Sequence, residues 1–127
     1  MNLILDLVKI LQVAPLELRM PTDARLKKIS EKLTTNPGDN RTLEQWGNSV
    51  GATERTLARR FRFETGMSFR QWRQQMRILE SLKRLGQDEP VSTVALDLGY
   101  NSPSAFIAMF KKALGRTPGQ YFKEADS

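Results

Sequence analysis

The sequence contains one helical pattern twice, and this duplication restricts the possible folds more than any other feature of the chain. The first copy is TERTLARRFRFETG at residues 53–66, and the second is SPSAFIAMFKKALG at residues 102–115. Each copy begins with a hydroxyl residue, has hydrophobic residues four and eight positions later, and stops at a glycine. The matching pairs are Thr53 and Ser102, Leu57 and Phe106, Phe61 and Phe110, and Gly66 and Gly115. This agreement predicts two equivalent structural units.

A shorter pattern precedes each copy. Gly47 matches Ala95, and Gly51 matches Gly99, at an offset of 48 residues. The offset then rises to 49, so the second turn is one residue longer than the first. A small residue four positions before a turn glycine lets two helices approach closely. Both halves are therefore predicted to be helix-turn-helix units.

Residues 53–65 have the features of a helix that reads DNA. Thr53 is a suitable N-cap and Gly66 a suitable C-terminal stop. One side of this helix carries Leu57, Phe61 and Glu64, and the other carries Arg55, Arg59 and Arg62. A capped helix with an apolar anchor and an arginine face, following a glycine turn, is what a DNA-binding helix-turn-helix requires. The alternative is a surface helix with a solvated basic face.

The 127 residues include no cysteine and no histidine. Disulfides, thiolate and imidazole metal sites, and nucleophiles activated by histidine are therefore excluded. Paired carboxylates are not evident either, so we predict neither an enzyme nor a cofactor. The net charge is +6, and residues 41–86, with ten Lys/Arg and four Asp/Glu, carry a charge of +6 by themselves. This concentration on and after the arginine helix favours a polyanionic partner.

Apolar periodicity predicts further helices along the chain. In order, they fall at residues 3–13, 23–33, 42–50, 69–85, 91–99 and 118–123. Pro15 stops the first, and an extended link is expected at residues 16–21. The predicted caps are Thr22, Thr42 with Gln45 at capping-box spacing, and Ser68. The long helix is predicted to turn Phe69, Trp72, Met76, Leu79 and Leu82 inward.

These elements predict an all-α fold of about seven helices, in which a long central helix joins two helix-turn-helix subdomains. The first subdomain with its connecting helix is expected at residues 22–86, and the second at residues 87–127. Residues 1–21 are expected to be a linker with a short amphipathic helix, or the tail of an effector domain that this chain lacks. A connecting helix of about 17 residues spans roughly 26 Å. It is therefore expected to place recognition helices 53–65 and 102–114 in successive major grooves, about 34 Å apart, on an asymmetric site.

Two segments carry a resemblance to a known family. They are LxRRFxxETGxSFxxW at residues 57–72 and VALDLGYNSPSAFIAMFKKALGRTPGQYF at residues 94–122, of which the second is the more specific. Over about residues 23–123 the chain resembles the C-terminal DNA-binding domain of the AraC/XylS transcription regulators. The resemblance implies a two-lobed domain of seven helices that binds promoter DNA and often contacts RNA polymerase.

In the first unit, Arg55 and Arg59 are predicted to read base edges. They project near the N-terminus of the helix, and arginine pairs bidentately with O6 and N7 of guanine. The resemblance places both among the family's base-reading positions, together with Ala58, which offers only a methyl contact. Thr53, Arg60, Arg62 and Arg73 are expected to contact phosphates, which set the register without specifying sequence.

The second unit has fewer basic residues at the equivalent positions. Pro103, Ser104 and Ala108 are expected to approach bases, although many family members carry arginine where Ala108 stands. Ser102 at the helix N-terminus and Lys111 are expected to hold phosphates. The first recognition helix is therefore predicted to supply most of the sequence specificity, and the second to position the duplex.

The sequence also allows two other interpretations of its aromatic and basic residues. The aromatic residues lie at core spacing, which favours packing over stacking on single-stranded bases. The rival function is a basic helical interaction module that acts mainly on RNA polymerase and binds DNA weakly. Neither a secretory signal nor a membrane-spanning stretch is evident, so a cytoplasmic, nucleoid-associated protein is expected. A small-molecule effector is expected to act only through a domain absent from this chain.

Overall fold

A computed structural model describes residues 17–126, and that part of the chain is entirely helical apart from its loops. Its helices are α1 (Ala24–Thr35), α2 (Leu43–Val50), α3 (Glu54–Thr65), α4 (Phe69–Gly86), α5 (Val91–Asp97), α6 (Pro103–Leu114) and α7 (Pro118–Asp126). The prediction of an all-α fold of about seven helices is confirmed for the described residues. The helix predicted at residues 3–13 lies outside the described residues. Among the described helices, none has the length and hydrophobicity that crossing a membrane requires.

The helix ends follow the local signals in the sequence. Thr42 and Gln45 form a reciprocal capping box, and the hydroxyls of Thr53 and Ser102 accept backbone N–H groups of α3 and α6. Glycines in the left-handed conformation end three helices, namely Gly51, Gly66 and Gly115, with φ angles of 73°, 75° and 82°. Side chains other than glycine rarely adopt this conformation. The predicted caps and stops of both recognition helices are therefore confirmed.

One predicted cap is wrong. Asp23, rather than Thr22, caps α1, because its Oδ1 accepts the backbone N–H groups of Arg25 and Leu26 at 2.9 and 3.4 Å. The hydroxyl and the backbone N–H of Thr22 instead donate to Glu64, 42 positions further along the chain. A contact so distant in sequence leaves no signal in the local pattern.

Residues Leu18–Arg77 form one compact unit around a core of ten buried hydrophobic side chains. Phe61 of α3 lies at its centre, with edge-to-face contacts to Phe69 and Trp72 at centroid distances of 5.4 and 5.6 Å. The indole N–H of Trp72 donates to the carbonyl of Arg19 at 3.0 Å, which ties the segment before α1 to this core. These aromatic side chains are therefore packing residues of the first unit, as their spacing predicts.

The other unit includes the helices from Ile78 onward and has its own core. Phe106 and Phe110 of α6 are completely buried in it, at positions that match Leu57 and Phe61 in the first unit. Tyr121 contacts Phe110 edge-on at 5.8 Å, and burial raises the pKa of its hydroxyl. The duplication in the sequence thus corresponds to two cores, each built around its own recognition helix.

The long helix α4 contributes to both cores, and this corrects part of its predicted inward face. Phe69, Trp72 and Met76 are buried in the first core, as predicted. Leu79 is only half-buried, and Leu82 packs half-buried against the second core. The buried residues of α4 after Met76 are Arg77, Ile78, Ser81 and Leu85. The sequence pattern predicts a single apolar stripe along the whole helix, but the inward positions change where the helix passes from one core to the other. The packing units accordingly divide between Arg77 and Ile78, inside the connecting helix that the sequence prediction assigned as a whole to the first subdomain at residues 22–86.

Candidate nucleic-acid interface

The first recognition helix, α3, has one buried face and one cationic face. Leu57, Phe61 and Thr65 are buried against the first core. The exposed residues include four of the predicted contact residues on this helix, namely Arg55, Ala58, Arg59 and Arg62. The packing of the apolar face therefore fixes which side chains project from the molecule.

Arg55 and Arg59 have no hydrogen bond or ion pair with any residue in the described part of the chain. Both are exposed, and they lie four positions apart, so they occupy the same side of α3. Each guanidinium keeps its five N–H donors available. These two side chains can therefore present bidentate donors to a ligand without breaking an internal contact.

Glu64 anchors α3 to the start of α1. Its Oε1 accepts the backbone N–H groups of Thr22 and Asp23 at 2.6 and 3.1 Å and the hydroxyl of Thr22 at 2.9 Å. Its Oε2 accepts Nε of Arg60 at 2.7 Å. Burial of the Glu64 carboxyl raises its pKa, but these four donors outweigh that effect and lower the pKa to about 2. The carboxylate thus holds the recognition helix against the first helix of the same unit.

Substituting Glu64 with glutamine is expected to lower the free energy of unfolding by about 1–3 kcal/mol at pH 7, because an amide accepts these donors less well than a carboxylate. The folded-state pKa lies below the ordinary value of 4.5. The stabilisation is therefore fully present above pH 4.5 and is lost as the pH falls toward 2. Urea denaturation of both proteins between pH 7 and pH 3 measures this.

A matched control is available on α1. Glu31 is exposed, and Glu31→Gln is expected to leave the stability within about 0.5 kcal/mol of the wild type. A stability gap between Glu64→Gln and the wild type that stays constant down to pH 3 would contradict the role assigned to the ionised carboxylate.

Arg60 and Arg73, both predicted phosphate contacts, have internal partners in the structure. Arg60 donates to Glu64 and lies 3.8 Å from Asp23. Nη1 of Arg73 donates to the carbonyl of Arg41 at 2.6 Å, and its guanidinium lies 4.8 Å from the ring centroid of Phe69. Part of the positive charge of the middle segment is therefore used to hold the fold together, and their phosphate roles stay predictions.

The buried Arg77 is a structural residue of the same kind. Its Nε donates to the carbonyl of Pro37 at 2.8 Å, and its Nη2 donates to the carbonyl of Asp39 and the side chain of Asn40 at 3.0 and 2.8 Å. It therefore fixes the loop between α1 and α2, upstream of the first helix-turn-helix. Nothing in its local sequence distinguishes this buried arginine from Arg55 or Arg59.

The second recognition helix, α6, presents a different outer face. Its buried residues are Phe106, Phe110 and Leu114. The predicted contact residues Pro103, Ser104, Ala108 and Lys111 are all exposed, and Ser102 caps the helix by accepting the N–H of Ala105 at 3.2 Å. Lys111 is the one cation among these positions, so the exposed face of α6 offers fewer charged donors than that of α3.

The environments of two residues of α3 differ from what their sequence positions suggest. Phe63 is 80% exposed on this helix, although its apolar character favours burial. The sequence signal that could have identified it is its spacing, because it lies four positions after Arg59 and two after the core residue Phe61. The helical pattern predicts Glu64 on the inward side, but its partners at residues 22 and 23 cannot be predicted from the sequence.

Within residues 17–126, no cluster of three acidic residues is suited to hold a metal ion.

Comparison with known proteins identifies helix-turn-helix transcription regulators as relatives of this chain. A family model described as a helix-turn-helix domain matches residues 46–124. The transcriptional regulator NimR of Escherichia coli is 42% identical over 106 residues, which are 84% of this chain and 39% of NimR. RipA of Corynebacterium glutamicum, another such regulator, is 30% identical over 102 residues, which are 80% of this chain and 31% of RipA.

A solved structure shows the same fold with DNA present. The DNA-binding domain of AdpA, crystallised in complex with a target DNA, matches with a TM-score of 0.70 and 28% identity. The match covers 79% of this chain and 90% of that domain. This chain therefore has the length of a DNA-binding domain, whereas it spans less than half of the curated regulators that it resembles.

Proposed function

Because this chain belongs to the AraC/XylS family of helix-turn-helix transcription regulators, we propose that it places α3 and α6 in successive major grooves of one promoter site. The domain itself is a DNA-binding domain and not an enzyme, as its relatives and its fold establish. The observation that carries the finer proposal is the outer face of α3, where Arg55 and Arg59 are exposed and keep their donors available.

The proposed contacts divide by chemistry. Arg55 and Arg59 read guanine edges through bidentate hydrogen bonds, and Ala58 offers a methyl group to a neighbouring base. Thr53 and Arg62 contact phosphates, together with any donors of Arg60 and Arg73 that their internal bonds leave available. The first unit then supplies most of the hydrogen-bonded sequence readout.

The second unit is proposed to act mainly by positioning. Ser102 and the N-terminus of α6 hold a phosphate, and Lys111 contacts another. Pro103 and Ser104 approach base edges, and Ala108 touches a thymine methyl. The small number of donors on this face supports the proposed asymmetry between the two helices.

A selection from random duplex DNA followed by a salt titration tests the proposal. The selected site is expected to be non-palindromic and to extend over two major grooves on one side of the duplex. Four predicted phosphate-contacting cations imply that log K falls with log salt with a slope of about −4. A palindromic consensus, or a site confined to one groove, would contradict the tandem arrangement.

The same experiment separates the rival function. A module that acts mainly on RNA polymerase would bind all duplexes weakly and with no sequence preference, so that no consensus emerges from the selection. Contact with RNA polymerase and control by an effector are proposals for the longer proteins in which such domains occur, because this chain matches only 31–39% of the two curated regulators. Action on promoter DNA implies a cytoplasmic, nucleoid-associated protein.

A further inference from the structure

An aromatic side chain projects from the recognition helix beside the base-reading arginines. Phe63 is 80% exposed, compared with 58% for Leu96 and 44% for Met20, the other large hydrophobic residues that are exposed among residues 17–123. An exposed phenyl ring contributes nothing to the core of the first unit. Its position on α3 therefore requires an explanation outside the packing of that unit.

The ring lies over the same part of α3 as Arg59. Residues four apart share one side of a helix, and side chains in a helix tilt toward its N-terminus. Phe63 therefore leans back over the turn that contains Arg59 and Arg60. Consistent with this direction, the guanidinium carbon of Arg60 lies 5.5 Å from the centroid of the Phe63 ring.

The cation next to the ring has an internal partner. Arg60 is held by the ion pair with Glu64, in which Nε and Oε2 are 2.7 Å apart. Glu64 is in turn bonded to the backbone of Thr22 and Asp23. The cation beside Phe63 is thus held, through Glu64, by the two residues that precede α1.

We propose that Phe63 contacts the 5-methyl group of a thymine in the major groove and so determines specificity at that base pair. The inference rests on the proposed function and adds a base-contacting residue to it. The thymine methyl is the apolar group that the major groove offers, whereas the other base edges there carry hydrogen-bonding atoms. Placing a phenyl ring against those atoms would remove them from water without a partner.

Charge favours DNA over a protein as the occupant. The exposed neighbours of Phe63 on α3 include the cations Arg59 and Arg62, and Arg55 lies two turns before the ring. A ring within a cationic face fits a polyanion that also presents a methyl group. The surface around Phe63 is therefore continuous with the proposed DNA interface.

Replacing thymines with deoxyuridine tests the contact, since deoxyuridine lacks only the 5-methyl group. Wild-type protein and Phe63→Ala are titrated against the selected duplex, in which thymines are replaced one at a time. The wild type is expected to lose about 4-fold in affinity at one thymine, which corresponds to one buried methyl. Phe63→Ala is expected to bind the unmodified duplex about 5-fold more weakly and to lose nothing further at that thymine.

Leu96→Ala is the matched control, because it removes another exposed hydrophobic side chain outside α3 and α6. It is expected to keep the affinity and the deoxyuridine profile of the wild type. Thermal melting of Phe63→Ala is expected to match the wild type, because the ring is exposed.

Two results would overturn the inference alone. One is a Phe63→Ala profile that still shows the wild-type loss at every thymine. The other is an equal loss of affinity for selected and random duplexes. Absence of any site-specific complex with the wild type would instead overturn the proposed function, and the inference with it.

Discussion

Replacing Arg59 with alanine is expected to weaken binding to the selected duplex by about 10- to 100-fold and to relax the preference at one or two base pairs. Arg59 is exposed on α3 and has no partner among the described residues, so its removal should leave the fold unchanged. The loss arises because the polar edge of the guanine then has no donor opposite it. Quantitative binding to the selected duplex and to variants with single base-pair changes measures both effects.

Arg62→Ala is the control for charge alone. A phosphate contact is expected to weaken binding about equally on all duplexes and to reduce the salt slope by about one. If Arg59→Ala behaves in that way too, Arg59 does not read a base. Equal losses of specificity from Arg59→Ala and from Ser104→Ala would contradict the proposal that α3 supplies most of the specificity and α6 mainly positions the duplex.

Ala108→Arg is expected to add affinity for sites with a guanine opposite α6.

Gly47→Ala is expected to lower the free energy of unfolding by about 2–3 kcal/mol. A Cβ atom at this position would lie 2.4 Å from the carbonyl oxygen of Ala52, which is part of the backbone and cannot rotate away. The N–H of Ala52 also donates to the carbonyl of Gly47 at 3.0 Å, so the turn cannot open without losing that bond. The expected fall in the melting temperature is roughly 10–20 °C, measurable by circular dichroism.

Gly119→Ala provides the matched control in α7. A Cβ atom there meets nothing within 4 Å, and the backbone has no positive φ. This variant is expected to be as stable as the wild type or slightly more stable, because alanine favours the helical state. Similar melting temperatures for the two variants would contradict the proposed close approach at Gly47. DNA affinity is expected to fall with Gly47→Ala as well, since the added methyl shifts α3 relative to α2.

The turns that follow Gly47 and Ala95 show what a sequence pattern can predict and what it cannot. Gly47 and Ala95 match as small residues in the sequence, and both begin the same kind of turn in the structure. The carbonyl of Gly47 accepts the N–H of Ala52 at 3.0 Å, and the carbonyl of Ala95 accepts the N–H of Tyr100 at 3.1 Å. The pattern predicts a small side chain at each position. It does not predict the difference between them. The methyl group of Ala95 is accommodated in a completely buried position, whereas a methyl group at residue 47 would collide with the backbone. That distinction depends on distances between atoms of two helices.

In the first unit too, features set by neighbouring residues can be predicted from the sequence, and contacts between distant residues cannot. Caps, stops and the inward faces of α3 and α6 follow from interactions between residues at most a few positions apart, so the sequence by itself determined the duplicated fold and the face that bears Arg55 and Arg59. Only the tertiary structure decided which arginines are already engaged, because Arg60 and Arg77 are paired through contacts that depend on residues 22–23 and 37–40. Identical arginine side chains stay exposed and available or become structural ties according to the partners that folding brings close, and local periodicity carries no information about those partners.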